Sequence, residues 1–258
     1  MEADAGALRL SPAGDGVLEL VIDRPARANA FTTAMWERLG ALVEQARQAG
    51  ARALVLRSAD RRIFASGVDF DELVAMLDDP ALRRRHWRAM TAATATLAAA
   101  PFVTIAETAG AAAGAGLSIL LACDLRLAAS SARFVLPPAR LGLVYPRADL
   151  GRLVRTVGEA AARELLFQAA PRDAAWAARR GLVHELHPDA EALRAAVAGA
   201  AARAAALAPS AVSALKRALA ADGESAGSLA GTEDEEARFV AAFDDADVRA
   251  RILAARRR

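Results

Sequence analysis

Apolar residues recur along the chain in two patterns, continuous runs of strand length and a helical repeat, and the two patterns alternate. Strands are predicted at 16–23, 51–58, 101–110, 124–130, 132–137 and 181–187. Helices are predicted at 32–48, roughly 80–99, 113–123, roughly 148–156 and from 159 onward, and the chain after about 189 is helical. Strands that alternate with helices and end in a helical tail predict an α/β fold in which helices cover a sheet.

Composition supports a sizeable core, because 55% of the 258 residues are hydrophobic. Much of this fraction is alanine, in runs such as MTAATATLAAA, which favour helix because Ala loses no side-chain entropy there. The length fits one large domain or a main domain with an appendage, and no low-complexity linker separates two independent domains.

Charge argues against nucleic-acid binding. The net charge is +2, and Lys216 is the only lysine, so the pI of 9.3 reflects arginines that are scattered rather than arranged in a stripe. The terminal RILAARRR is the exception. It is interpreted as a solvated helix end favoured by the helix dipole, with a phosphate contact as the alternative.

The single cysteine, Cys123, excludes an internal disulfide, favours a cytoplasmic location and is interpreted as inert core. The N-terminal segment has no signal-peptide pattern. The apolar run near Cys123 is interrupted by Asp124 and is too short to span a bilayer, so no membrane association is expected. No spacing typical of metal ligands occurs, and no metal is expected.

Two segments, FASGVDF (64–70) and GAAAGAGLS (110–118), both have glycine at a turn that leads into a predicted helix. The first turns at Gly67 before a predicted helix, and the second has Gly114 and Gly116 at a helix start. Unpaired N–H groups from two helix starts would bind a developing oxyanion, with roughly 3–4 kcal/mol from each donor. The second segment lacks the Lys-Ser/Thr pair of a P-loop and the GxGxxG spacing of a dinucleotide site.

With these segments, the sequence resembles the enoyl-CoA hydratase/isomerase family, the crotonase superfamily, in order along nearly the whole chain. The resemblance rests on IDRPARANAF, RALVLRSADRRIFASGVDFDEL, PFVTIAETAGAAAGAGLSILLACDLRLAASSARFVLPPARLGLVYP, LVRTVGEAAARELLF, AARRGLVHEL and APSAVSALKRAL. Its most specific part is ACDLRLA after a glycine-rich turn, followed by the FxxPxxxLGL pattern.

The resemblance implies a crotonase-like spiral of ββα repeats over 1–200 and a helical C-terminal region, 201–258, that builds a homotrimer or a hexamer. The implied ligand is an acyl-CoA thioester, with CoA as part of the substrate and no separate cofactor. The oxyanion hole would consist of the backbone N–H groups of Val68 and Ala115, although the family usually has Gly at the latter position. Further residues would line the substrate path, namely Arg24, Ala28, Ala65, Gly67, Asp69, Phe70, Gly114, Ser118 and Pro138.

Asp69 has a simpler interpretation as a helix N-cap. Arg256 and Arg257 fall near positions where the family often has basic residues for the CoA phosphates.

Three positions depart from the family pattern. Hydratases of the family use two glutamates to hold and deprotonate a water, and these would sit at Ser118 and Pro138. Other members, including several isomerases, carry a carboxylate at the position of Pro146. A general acid or base typically supplies about 10²–10⁴ in rate, so ordinary hydration is not expected unless another group replaces them. Ser118 is interpreted as structural, with a hydrogen bond to the ligand as the alternative.

Other polar residues lie close to these positions. Tyr145, the only tyrosine, falls where methylmalonyl-CoA decarboxylase, a family member, has a similar functional tyrosine, but it also fits a packed ring. Asp149 is either a relocated catalytic carboxylate or a partner of a helix N-terminus. Arg140 and Arg147 are expected to pair with Asp149 or with a carboxylate of the acyl group. His86, in the long helix, is a weaker candidate at the acyl pocket.

The sequence therefore predicts an acyl-CoA lyase or isomerase of fatty acid metabolism with altered chemistry, either enolate-type isomerisation or decarboxylation. The alternative is an acyl-CoA-binding protein without catalysis. A serine hydrolase on the same fold is disfavoured, because no serine has a recognisable His–Asp partnership.

Overall fold

A computed structural model describes residues 6–225 and 233–256. Its larger sheet contains β1 Leu8–Gly14, β2 Val17–Ile22, β3 Ala53–Ser58, β5 Val103–Thr108, β7 Leu125–Ala129 and β10 Glu185–His187, side by side in this order. β1 and β2 form an antiparallel hairpin, and every later pair of neighbours is parallel.

A smaller sheet contains β4 Ile63–Ala65, β6 Ala111–Ala113, β8 Arg133–Val135 and β9 Arg172–Asp173, in this order. Its first three strands are parallel, and β9 is antiparallel to β8. β4, β6 and β8 each follow a strand of the larger sheet along the chain and precede a helix. The chain therefore repeats a strand–strand–helix unit, as the predicted spiral of ββα repeats requires.

The helices are α1 Thr33–Gln48, α2 Phe70–Ala75, α3 Pro80–Ala98, α4 Ala115–Ala122, α5 Arg147–Val157, α6 Glu159–Gln168, α7 Ala174–Arg179, α8 Ala190–Ala205, α9 Pro209–Ser225, α10 Glu233–Ala242 and α11 Ala246–Arg256. Side-chain oxygens of Thr32, Asp79, Asp173 and Asp189 accept hydrogen bonds from first-turn amides. These caps explain where four of the helices begin.

The larger sheet is buried on both faces, which explains the continuous apolar runs of its parallel strands. One face belongs to the main core, and α8 covers the other with Leu193 and Val197. Lys216 fastens α9 to the sheet, because its Nζ donates to Asp124 Oδ2 at 2.6 Å and to the carbonyl of Phe102 at 3.0 Å. Cys123 is buried in the main core, and burial raises the pKa of its thiol to about 12, as an inert core cysteine requires.

Most of the predicted strands and helices are present, and the differences concern short or exposed strands. β1 was not predicted, because it is an edge strand whose side chains are mostly exposed and give no apolar pattern. β4, β6 and β9 have only two or three residues, and the strand predicted at 181–187 is reduced to β10. The predicted division at residue 200 falls inside α8 and stays a prediction.

Candidate active site

The loop between β4 and α2 presents a free backbone amide at Val68. The amide of Phe31 donates to the Gly67 carbonyl at 2.7 Å, and the Asp69 amide donates to the Phe31 carbonyl at 3.0 Å. In such a parallel bridge the N–H of the middle residue, Val68, faces away from Phe31. Within 6–225 and 233–256 it has no hydrogen-bond acceptor. Val68 precedes the N-cap Asp69, so its N–H belongs to the loop rather than to the helix.

A second free amide lies at the start of α4. Ala115 is the first helical residue, and its N–H cannot have a partner inside the helix. Gly114 precedes it with φ of +49°, a left-handed conformation that favours glycine, and the Gly114 amide donates to the Val135 carbonyl at 3.0 Å. The described part of the chain offers no acceptor to the Ala115 amide.

The two loops touch through their glycines. Gly67 has φ of +103°, and a Cβ added to it would lie 3.3 Å from the Ala115 nitrogen and 3.1 Å from the Ala113 carbonyl oxygen. The backbone segments that carry the two free amides are therefore in van der Waals contact, although they are almost 50 residues apart in sequence.

Gly116 marks a similarly close approach, since a Cβ there would lie 2.5 Å from the backbone oxygen of Ala65. We expect Gly116→Ala to lower the free energy of unfolding by about 1–3 kcal/mol, as overpacking typically does. Urea unfolding measures this. Gly40→Ala in α1 is the matched control, because its nearest neighbour would lie at an ordinary 3.7 Å, and its stability should stay equal or rise slightly. Equal stability losses in both variants would contradict the prediction.

Asp69 is the N-cap of α2, as predicted, and its side chain also stabilises the loop between β4 and α2. Its side chain accepts from the amides of Asp71 at 2.9 Å and Glu72 at 3.2 Å, and Arg24 donates to it at 2.6 Å. Burial would raise the pKa of Asp69, but the Arg24 side chain, the Glu72 amide and the charge of Arg27 outweigh burial and lower it. Arg24 also donates to the Ala30 carbonyl at 3.0 Å, so it ties the loop 24–31 to the Val68 loop.

The other residues predicted to line the CoA path lie on the same side of the molecule. The Ala28 carbonyl accepts from the Ser66 amide at 3.2 Å, Ala65 is buried, and Phe70 is 41% exposed. Arg27 and Arg256 both pair with Asp71, which brings the end of α11 to the start of α2. Arg257 lies outside the described residues. Their contact with CoA stays a prediction.

Ser118, Tyr145, Asp149 and Arg152 form a cluster, here called the Ser118 cluster, where α4 meets the start of α5. Ser118, fully buried, shares a hydrogen bond with the Tyr145 hydroxyl. The Tyr145 hydroxyl donates to the Gly114 carbonyl at 3.3 Å, and that carbonyl belongs to the same peptide group as the Ala115 N–H. Hydrogen bonds in series polarise one another, so this contact makes the Ala115 N–H a better donor.

Asp149 is completely buried, and its Oδ1 pairs with Arg152 at 2.5 Å. The expectation that Arg140 or Arg147 would pair with it is wrong; both are exposed, and the partner is one turn further along α5. The i,i+3 spacing of Asp149 and Arg152 in a predicted helix was the signal that the sequence offered. The other oxygen, Oδ2, is buried and has no hydrogen-bond partner in the described part of the chain.

Burial is the largest influence on the pKa values of Tyr145 and Asp149 in this cluster. It raises the pKa of the Tyr145 hydroxyl well above its usual value, the charge of Asp149 acts in the same direction, and Ser118 and Arg152 oppose it. Burial also raises the pKa of the Asp149 carboxyl, against the charge of Arg152 and the nearby Ser118 hydroxyl. Tyr145 therefore keeps its proton at neutral pH and cannot act as a base there.

The structure also locates the remaining candidate residues. Pro138 begins a short 3-10 turn, Pro138–Leu141, and Pro146 is buried directly before α5. His86 is buried, and its Nδ1 lies 3.0 Å from Thr33 Oγ1. Among residues 6–225 and 233–256, no group of three or more His, Cys, Asp or Glu could hold a metal ion.

In the same described part, no single helix is long and apolar enough to cross a membrane, although α8 and 209–220 pass that test together as a pair bent by 103°.

The sequence profile described as Enoyl-CoA hydratase/isomerase matches residues 13–256. A probable mitochondrial enoyl-CoA hydratase 2 of Arabidopsis thaliana is 34% identical over 177 residues, which is 68% of this chain and 58% of the relative. The matched region thus spans less than two thirds of that relative's length.

Two solved structures have the same fold. An enoyl-CoA hydratase of Bacillus halodurans superposes with a TM-score of 0.88 at 23% identity, covering 96% of this chain and 99% of the other. Methylmalonyl-CoA decarboxylase in complex with 2-nitronate-propionyl-CoA superposes with a TM-score of 0.84, also at 23% identity, covering 97% and 95%. These likenesses show the predicted crotonase fold.

Proposed function

The chain belongs to the enoyl-CoA hydratase/isomerase family, and on this premise we propose that it is an acyl-CoA lyase that decarboxylates a malonyl-type thioester. In this reaction the bond between the α-carbon and a carboxylate breaks, CO₂ leaves, and its electron pair becomes the thioester enolate. A proton donor then completes the product.

The free amides of Val68 and Ala115 are suited to hold the thioester oxygen. They lie on touching backbone segments and have no acceptor among the described residues, so a ligand oxygen is the group that would satisfy them. Charge builds up on this oxygen as the enolate forms, and fixed N–H donors stabilise that charge because they need no reorganisation. The Arg24–Asp69 pair and the Phe31 bridge keep the Val68 donor in place.

The observation that carries the proposal is the hydrogen bond between the Tyr145 hydroxyl and Ser118, the position where the family resemblance places a glutamate of the hydratases. The raised pKa keeps the Tyr145 hydroxyl protonated at neutral pH, so it cannot serve as a base, but it has a proton to give to an enolate, which is a stronger base than a tyrosinate. Protonation of an enolate needs an acid, whereas hydration and isomerisation begin with a base. The geometry thus favours decarboxylation over enolate-type isomerisation.

The alternative function is acyl-CoA binding without catalysis. It is favoured by Pro138 and Pro146, since neither residue can exchange a proton where relatives have carboxylates.

Assays with three thioesters distinguish decarboxylation from acyl-CoA binding without catalysis. The protein is mixed in turn with malonyl-CoA, methylmalonyl-CoA and crotonyl-CoA, and CO₂ release and loss of the enoyl absorbance are followed. We expect CO₂ release from a malonyl-type thioester and no hydration of crotonyl-CoA. Micromolar binding of all three thioesters without turnover would instead support the function of acyl-CoA binding without catalysis. Rapid loss of the enoyl absorbance would show that the protein is an ordinary hydratase.

We further propose a cytoplasmic homotrimer or dimer of trimers, built through the C-terminal helices. Leu215 and Leu219 of α9 are 64% and 75% exposed, and a second copy of the chain could cover them. The molar mass in solution, measured by light scattering, tests the assembly.

A further inference from the structure

Glu72 joins the start of α2 to the start of α1. The Thr33 amide belongs to the first turn of α1, where no acceptor exists inside the helix, and it donates to Glu72 Oε2 at 2.7 Å. Two residues before Thr33, Phe31 holds the backbone on both sides of Val68 through its own amide and carbonyl. The Val68 peptide group is therefore held between two helix starts that are joined to each other by backbone and side-chain hydrogen bonds.

His86 on α3 completes this connection. It is 1% exposed, and its Nδ1 lies 3.0 Å from Thr33 Oγ1 and 3.5 Å from Glu72 Oε2. Burial would raise the pKa of Glu72, but the contacts with His86 and Thr33 outweigh burial and lower it, so Glu72 is a carboxylate at neutral pH. Three helices thus meet at one charged and hydrogen-bonded point.

An imidazole in this buried place has a cost. The Nε2 atom of His86 is buried and has no hydrogen-bond partner in the described part of the chain. An apolar side chain of similar size would fill the space without an unpaired polar atom, as Trp87 and Met90 do on the same helix. The contacts of Nδ1 with Thr33 and Glu72 are what an apolar residue could not replace.

We propose that Glu72 and His86 are positioning residues for the Val68 oxyanion donor. They fix the first turns of α1 and α2 against each other, and this aims the Val68 N–H at the thioester oxygen. The inference rests on the proposed function, in which the amides of Val68 and Ala115 hold that oxygen. Neither Glu72 nor His86 touches the substrate.

The position of a fixed donor decides how much it stabilises the enolate. A displacement of about 1 Å at a reacting centre can lower the rate by about 10²-fold. The Ala115 donor stands outside this connection, because it begins α4 and follows Gly114, whose amide donates to the Val135 carbonyl. Loss of the Glu72 or His86 contacts should therefore weaken one oxyanion donor and leave the other in place.

Glu72→Leu removes the carboxylate and keeps a side chain of similar size. The probe is acetyl-CoA with an isotopic label at the thioester carbonyl, whose infrared stretching frequency falls when its oxygen accepts hydrogen bonds. The shift seen with the wild-type protein should shrink by about half, since one of two donors moves. The Kd of acetyl-CoA should stay within about threefold of the wild-type value. Glu72→Gln, which keeps an oxygen for the Thr33 amide, should recover most of the shift.

His86→Leu gives an independent test if Glu72→Leu fails to fold, and it should reduce the carbonyl shift in the same direction. His86→Asn, whose amide can take the place of Nδ1, should recover part of it. Glu37→Gln is the matched control. Glu37 of α1 pairs at the surface with Arg85 of α3, at 2.7 and 2.8 Å, and has no hydrogen bond to α2 among the described residues. Its carbonyl shift should equal that of the wild type.

Turnover gives the second measurement. With malonyl-CoA or methylmalonyl-CoA, whichever the enzyme decarboxylates, Glu72→Leu and His86→Leu should lower kcat by about tenfold to 10²-fold with little change in KM. Absence of CO₂ release from the wild-type protein would remove the proposed decarboxylation, whereas the carbonyl shift would still decide the positioning role.

A wild-type carbonyl shift in both leucine variants would overturn the positioning role while decarboxylation stands. An equal loss in Glu37→Gln would overturn it too, because the general packing of α1 on α3 would then fix the donor. An unshifted carbonyl in the wild-type complex would show that the Val68 amide is not an oxyanion donor, and the inference would fall with it.

Discussion

Replacement of Tyr145 by phenylalanine should lower the rate of CO₂ release from malonyl-type thioesters by about 10²–10⁴-fold, the usual contribution of a general acid. The variant keeps the ring, which packs against the main core, and removes only the hydroxyl. Without that oxygen the enolate loses its proposed proton donor, and the Gly114 carbonyl loses the contact that polarises the Ala115 N–H.

Binding separates this effect from a folding defect. The Kd of Tyr145→Phe for a non-reactive acyl-CoA, measured by calorimetry, should stay within about threefold of the wild-type value, because the hydroxyl acts on the enolate rather than on the bound thioester. A variant that keeps wild-type turnover would show that Tyr145 is only a packed ring, and the proton donor would have to be sought elsewhere.

Removal of the second oxyanion donor should have an effect of similar size. Ala115→Pro deletes the N–H at the first residue of α4, where proline is tolerated in helices. Loss of one such donor typically lowers kcat by about 10²–10³-fold. We expect that loss with unchanged products, since Val68 and Tyr145 remain. Single-turnover decarboxylation of a malonyl-type thioester measures it.

Ala115→Ser is the matched control, because it alters the side chain at the same 6% exposed position and retains the N–H. It should keep most of the activity. Circular dichroism melting of both variants shows whether proline has disturbed the helix. If Ala115→Pro folds and turns over like Ala115→Ser, the Ala115 amide is not an oxyanion donor.

Much of the fold was predictable because long buried elements leave a regular apolar pattern. The runs at 51–58 and 101–110 became β3 and β5, and the repeat at 32–48 became α1. The edge strand β1 and three short strands of the smaller sheet, β4, β6 and β9, were missed, since their pairing depends on neighbours distant in sequence and not on a local pattern.

The sequence by itself determined the α/β class, the N-cap role of Asp69 and the family that the ordered motifs resemble. These are local properties, because propensity, periodicity and motif spacing depend on neighbouring residues. It also pointed to Tyr145 and Asp149, but it paired Asp149 with the wrong arginines.

Only the tertiary structure decided which side chains and backbone groups lie next to each other. It also decided the direction in which burial shifts their pKa values. Contact between Gly67 and Ala115, the hydrogen bond between Ser118 and Tyr145, and the burial of Asp149 each require segments from different repeats to pack together. Burial is a property of that packing, and it raises the pKa of the Tyr145 hydroxyl, which stays protonated at neutral pH. In the segment FVLPPARLGLVYP, 134–146, the fold places the tyrosine hydroxyl against the peptide group that carries the Ala115 donor.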